Sequence, residues 1–97
     1  MAFVQIIEFR SADIAGILKA NEDWMRATEG KRTARRAVLT RDRNDPDRHV
    51  MIVFFDSYES AMANSQLPET QASSEVIAAL ADGPPSFRDL DVLDDRS

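Results

Sequence analysis

Phe3-Val4-Gln5-Ile6-Ile7-Glu8-Phe9 and Val50-Met51-Ile52-Val53-Phe54-Phe55 decide how this chain folds, because both stretches are apolar on each of their alternating faces. A strand has that character only when both faces of its sheet are covered. Arg35 to Asp42 and Phe87 to Leu93 read as two further strands, but they are diluted with charge. Charge belongs at sheet edges, where it discourages pairing with foreign strands. The pattern therefore gives a four-stranded sheet with the rich strands inside.

Between the strands the apolar spacing changes. Ile14, Ile17, Leu18, Trp24 and Met25 recur at helical intervals after Ser11 or Asp13, either of which can cap the first turn. Gly30 is expected to end that helix by accepting a left-handed turn. The second strand spans about Thr33 to Asp42 and the third about Arg48 to Phe55. The turn Arg43-Asn44-Asp45-Pro46-Asp47 joins them as an antiparallel hairpin. A second helix follows a cap at Asp56 or Ser57, with Tyr58, Ala61, Met62 and Ser65 on one face. Pro68 starts a new helical run that is expected to bury Val76, Ile77 and Leu80. The last strand spans about Ser86 to Leu93, and the final residues read as a frayed tail.

The order β-α-β-β-α-β is the split βαβ, ferredoxin-like pattern of an α+β domain. Right-handed crossovers arrange its antiparallel strands 4-1-3-2, which puts strands 1 and 3 in the centre, as their composition requires. One domain spans residues 1–97, with an ordered core of about 2–93. A chain this size buries roughly 60–65% of its extended surface, enough for one modest core.

Two helices cover one face of such a sheet. The other face would leave either Val4/Ile6 or Phe3/Ile7/Phe9 in water, together with either Met51/Val53/Phe55 or Val50/Ile52/Phe54. That patch exceeds what soluble monomers usually expose. A second copy packed sheet against sheet is the simplest cover, so a homodimer is expected.

Composition excludes several classes of function. With no cysteine and one histidine, thiolate chemistry and multi-histidine metal sites are ruled out. The net charge of −5 argues against nucleic acid as a partner. Seven of the twelve bases nevertheless cluster at Lys31, Arg32, Arg35, Arg36, Arg41, Arg43 and Arg48, which fits edge-strand protection, an anion site or a charged interface. No window approaches the ~18 apolar residues of a membrane span. Met1-Ala2 leads straight into strand pattern without a leader, so the cytoplasm is the expected location.

With these strands in this order, the chain resembles the dimeric α+β barrel superfamily, and within it proteins of the antibiotic-biosynthesis-monooxygenase type. The likeness covers about Ala2 to Leu93. It implies a barrel of two facing sheets and a ligand between helices and sheet. Quinone-forming monooxygenases and haem-degrading relatives often carry tryptophan at the end of strand 3 and histidine nine residues later. Phe55 and Asn64 stand at those positions here. Asparagine does not supply the strong axial ligand that haem iron needs, so no cofactor is expected.

His49 is the one side chain titrating near neutral pH. It is a weak candidate base, placed by its sequence at a hairpin end where solvation is the bland expectation. Asn64 is the other weak catalytic candidate, its bland reading an exposed helix residue. For ligand binding the candidates are Asn21, Trp24, Tyr58, Asn64 and Arg36. Asn21 interrupts the first helix's apolar stripe and needs a partner if buried. Trp24 and Tyr58 offer flat walls with polar handles, or ordinary core packing. Arg36 either reaches a pocket anion or snorkels to water. The reading is a small dimeric protein binding an apolar or aromatic molecule between helices and sheet, as a cofactor-free monooxygenase-like enzyme. The rival is a non-catalytic ligand sensor or assembly module built on the same dimer.

Overall fold

The computed structural model describes residues 2–97. Its elements are β1 (Phe3–Arg10), α1 (Ile14–Ala27), β2 (Arg36–Asp42), β3 (Asp45–Phe55), α2 (Tyr58–Ser65), α3 (Pro68–Leu80) and β4 (Ser86–Asp91). The sheet order is β2-β3-β1-β4, with every pairing antiparallel. The two doubly apolar strands are central and the charged ones are edges.

Register assigns the faces. Phe3, Phe9, Met51, Val53 and Phe55 are buried with Ile17 of α1 and Ala61 of α2, so odd-numbered positions of β1 and β3 face the helices. Fully burying such side chains stabilises by about 1.5–3 kcal/mol each. The opposite face carries Val4, Ile6, Val50, Ile52 and Phe54, joined by Val38 of β2 and Leu90 of β4. No helix covers it. Glu8 at its margin pairs with both Arg48 and Arg88.

Local chemistry moves several boundaries from their expected places. Asp13 caps α1 by accepting from the Gly16 amide (2.9 Å), while Ser11 donates to the Leu80 carbonyl (2.7 Å) and ties β1's end to α3. α1 stops at Ala27, where Thr28 turns its hydroxyl onto the Trp24 carbonyl (2.6 Å). Gly30 takes the left-handed conformation (φ +82°) two residues further on. The hairpin loop is only Arg43-Asn44, with Asp42 opposite Asp45. Pro46 falls beside a register shift in the β2–β3 ladder, where its missing N–H is tolerated. β3 is therefore three residues longer than its composition implied.

The two later helices depart further. Ser57 caps α2 by accepting from the Ser60 amide (3.0 Å). The buried residues of α2 are Ala61, which belongs to the expected Tyr58–Ala61–Met62–Ser65 face, and Asn64, which does not. α3 has no buried residue: Ile77 and Leu80 are half-buried, and Val76 is 48% exposed. The helix does not seat on the sheet along its length, because a cavity lies beneath it.

Candidate functional site

That cavity has a volume of about 580 Å³ and lies between the helix-facing side of the sheet and the helices. Its floor is apolar, formed by Ile7, Leu39, Met51, Val53, Phe55 and Phe87. These are inward positions of all four strands, brought together by the register. Its other walls carry Asn21 and Trp24 from α1, Asn64 from α2, and Thr70, Ser73 and Ser74 from α3. Among the described residues, no charged side chain lines it.

Trp24 is held in place by two side chains. Its indole Nε1 donates to the Thr70 hydroxyl (2.9 Å), linking α1 to the first turn of α3. The Arg32 guanidinium lies 5.4 Å from the ring centroid, and its Nη1 donates to the Met25 carbonyl and to the Thr28 hydroxyl, both at 3.0 Å. Beside this, Lys31 pairs with Glu69 (2.7 Å), and the bond holds the Glu69 carboxyl below its ordinary value. The cationic stretch before β2 thus braces the cavity wall from outside.

Asn64 is 5% exposed, and its amide oxygen is buried without a hydrogen-bond partner among the described residues. Leaving such a carbonyl unpaired costs about 1–3 kcal/mol. The residue stands at a buried position of α2 beside Ala61's inward face. Gln5, the polar residue in β1, also lines the cavity and donates to Asp89 on neighbouring β4 (3.3 Å).

Asn21, Trp24 and Asn64 come together at one cavity; the other sequence candidates do not. Tyr58 is 50% exposed and packs edge-on against Phe3 (centroids 5.6 Å apart, planes at 81°), outside the cavity, because α2's inward face is rotated towards Ala61. Arg36 extends over Phe54 on the opposite face of the sheet (5.6 Å), since its register partner is an outward position. His49 is 1% exposed rather than solvated, because β3 begins at Asp45 and carries it inside the sheet. Its ring nitrogens lie 3.3 Å from the Thr40 carbonyl and 3.2 Å from the Ser11 carbonyl, and Phe9 packs on it at 5.4 Å. It joins β2 to the β1–α1 junction and does not line the cavity. The α3 hydroxyls were not read from the sequence, although Thr70, Ser73, Ser74 and Ile77 repeat at the spacing of an inward helical stripe.

No protein-family model and no curated protein sequence matches the chain. Solved structures do. A provisionally assigned antibiotic biosynthesis monooxygenase from Caulobacter crescentus superposes with a TM-score of 0.81 at 14% identity, over 96% of this chain and 91% of that one. SnoaB, a cofactor-independent oxygenase from Streptomyces nogalater solved as an asparagine-to-alanine variant, gives 0.81 at 12% identity, over 97% and 95%. A provisionally assigned antibiotic biosynthesis monooxygenase from Chloroflexus aurantiacus gives 0.76 at 16% identity, over 100% and 98%. The chain therefore shares the fold of these structures, a ferredoxin-like α+β fold with a four-stranded antiparallel sheet. No helix of the described residues is long and apolar enough to cross a membrane.

Proposed function

We propose that the cavity binds a small, uncharged aromatic molecule, and that the protein oxidises it as a cofactor-free monooxygenase-like enzyme. The observation that carries this reading is a cavity of about 580 Å³ with an apolar floor, no charged lining and one buried, unpartnered amide at Asn64. The volume falls within the roughly 300–1,000 Å³ of small-molecule sites. A charged ligand would shed its hydration and find no counter-charge, whereas a neutral ring loses little. Asn64 holds an oxygen substituent of the ligand, its amide able to donate or accept by turning about its terminal torsion. Trp24, fixed by Thr70 and Arg32, sets the plane of the ring.

Phenol oxidation to a quinone balances without a reductant. The arene exchanges a C–H for a carbonyl with one oxygen atom of O₂, and the other atom leaves as water with the two hydrogens. The chain's part is to orient the ring and exclude bulk water. The absence of any acid or base in the cavity lining favours a second reading, a non-catalytic sensor for the same ligand class. Aerobic incubation with a panel of naphthols, followed by oxygen uptake and product mass, separates the two. Uptake with a mass gain of one oxygen less two hydrogens supports the enzyme. Binding without turnover supports the sensor, and no binding across the panel overturns both.

A second copy of the chain is our proposed cover for the outer sheet face. Val4, Ile6, Ile52 and Phe54 form a self-complementary apolar centre there, with Glu8, Arg48 and Arg88 at the margin. Such a patch suits a two-fold interface.

A further inference from the structure

β4 is an edge strand on which every residue is exposed, and apart from Phe87 and Leu90 its residues are polar or charged. The two exceptions face opposite ways. Leu90 pairs with Val4 and belongs to the outer apolar face, whereas Phe87 pairs with Ile7 and belongs to the helix-facing side. Ile7 and Leu39, at inward positions of β1 and β2, pack against the buried core. Phe87 does not: it lines the cavity and is 56% exposed, more than any other aromatic side chain among the described residues. An uncovered phenyl forfeits the stabilisation of burial, and on a sheet edge it invites foreign strands. Arg88 and Asp89 beside it are the residue types that protect such an edge. The strand beneath the ring is nevertheless fixed. Asp89 accepts from Gln5 of β1 (3.3 Å), and the Asp82 amide ahead of the strand donates to the Arg10 carbonyl (2.7 Å). The freedom at this place is therefore that of the side chain, which stands over an apolar cavity.

We propose that Phe87 is the residue that covers the bound ligand: its ring folds from the edge of β4 onto the occupant of the cavity, exchanging water for apolar contact. This rests on the cavity being a ligand site, as proposed above. Exposed side chains change rotamer in picoseconds to nanoseconds, far faster than a ligand arrives, so the ring does not slow entry. A ligand that leaves must first give up its contact with the ring. Phe87 therefore sets how long the ligand stays, and its contribution falls on the dissociation rate.

The test follows the fluorescence of Trp24, the one tryptophan of the chain and a lining residue of the same cavity, in stopped flow. The probe is 1,4-naphthoquinone, an uncharged aromatic that quenches indole emission. Phe87→Ala should bind it about tenfold more weakly, the worth of burying roughly half a phenyl side chain. The loss should lie in faster dissociation, with association within about twofold of wild type. Phe87→Leu, which keeps an apolar side chain at the site, should lose no more than about threefold. Urea midpoints of both variants should match wild type, since the ring lies outside the core. Unchanged dissociation in Phe87→Ala overturns the proposal while leaving the cavity as the site. Association and dissociation that rise together also overturn it, since the ring is then an obstruction and not a cover. A leucine variant as weak as the alanine one, with either midpoint lowered, overturns it too, because the ring then acts through the fold. If the quinone leaves wild-type Trp24 unquenched, the cavity reading falls and this inference with it.

Discussion

Asn64 and His49 are both buried polar residues, yet they belong to opposite economies. His49 has a backbone carbonyl within 3.3 Å of each ring nitrogen, one of which its N–H bonds, and aromatic packing beside it, so removing it destroys structure. His49→Ala should lower stability by about 2–4 kcal/mol, from the void and the lost hydrogen bond. Urea denaturation would read this, and ligand affinity of the folded fraction should not change. Asn64 has a lone carbonyl and an open cavity, so removing it relieves a cost. Asn64→Leu should keep or raise the melting temperature, by up to about 1 kcal/mol of stability, while weakening phenol binding about tenfold. Thermal melts with and without ligand check both halves. The sequence marked both residues as unusual. It could not say that His49 was buried, because that depends on a hairpin loop of two residues rather than five, nor that Asn64 faced inward, because that depends on how α2 is rotated.

Among the elements, α3 is attached mainly at its ends. Ser11 bonds its last carbonyl, the Asp82 amide donates to the Arg10 carbonyl (2.7 Å), and Trp24–Thr70 with Lys31–Glu69 hold its start. The start is acid-sensitive. The Lys31 bond lowers the Glu69 carboxyl below its ordinary 4.5, so its stabilisation is complete above the unfolded value and fades as pH falls through the folded one. Amide exchange at residues 69–73 should be level from about pH 8 to 5 after correction for intrinsic rates, then rise below about pH 4. Lys31→Met should be loosened already at neutral pH and show less of that acid step. Strand positions and helix existence were legible from periodicity. The burial of α3 was not, because Val76, Ile77 and Leu80 look like a core stripe whether or not the sheet lies against them.

At the scale of the whole molecule, the strand order followed from two doubly apolar stretches, and the neighbours' fold agrees with it. Which residues share a face needed the register, which pairs Ile6 with Ile52 and sends Arg36 away from the cavity. The outer face makes assembly testable. Light scattering should give twice the chain mass at micromolar concentration, and Ile52→Asp should give monomers or aggregates. The charged pairs at the margin contribute about 0–1 kcal/mol each. The dimer should therefore survive ~1 M salt, where screening shortens to about 3 Å. Dissociation by salt would assign the interface to charge instead of apolar burial.

The lack of any buried residue in α3 has a consequence for how such a protein can diverge. Its stability resides in Ile17, Phe55 and Ala61, while the cavity's polar wall is borne by a helix that contributes nothing fully buried to that core. Substitutions at Ser73 and Ser74 can therefore accumulate without passing through unfolded intermediates. A saturation library should tolerate most residues there and few at Ile17, which has no exposed surface.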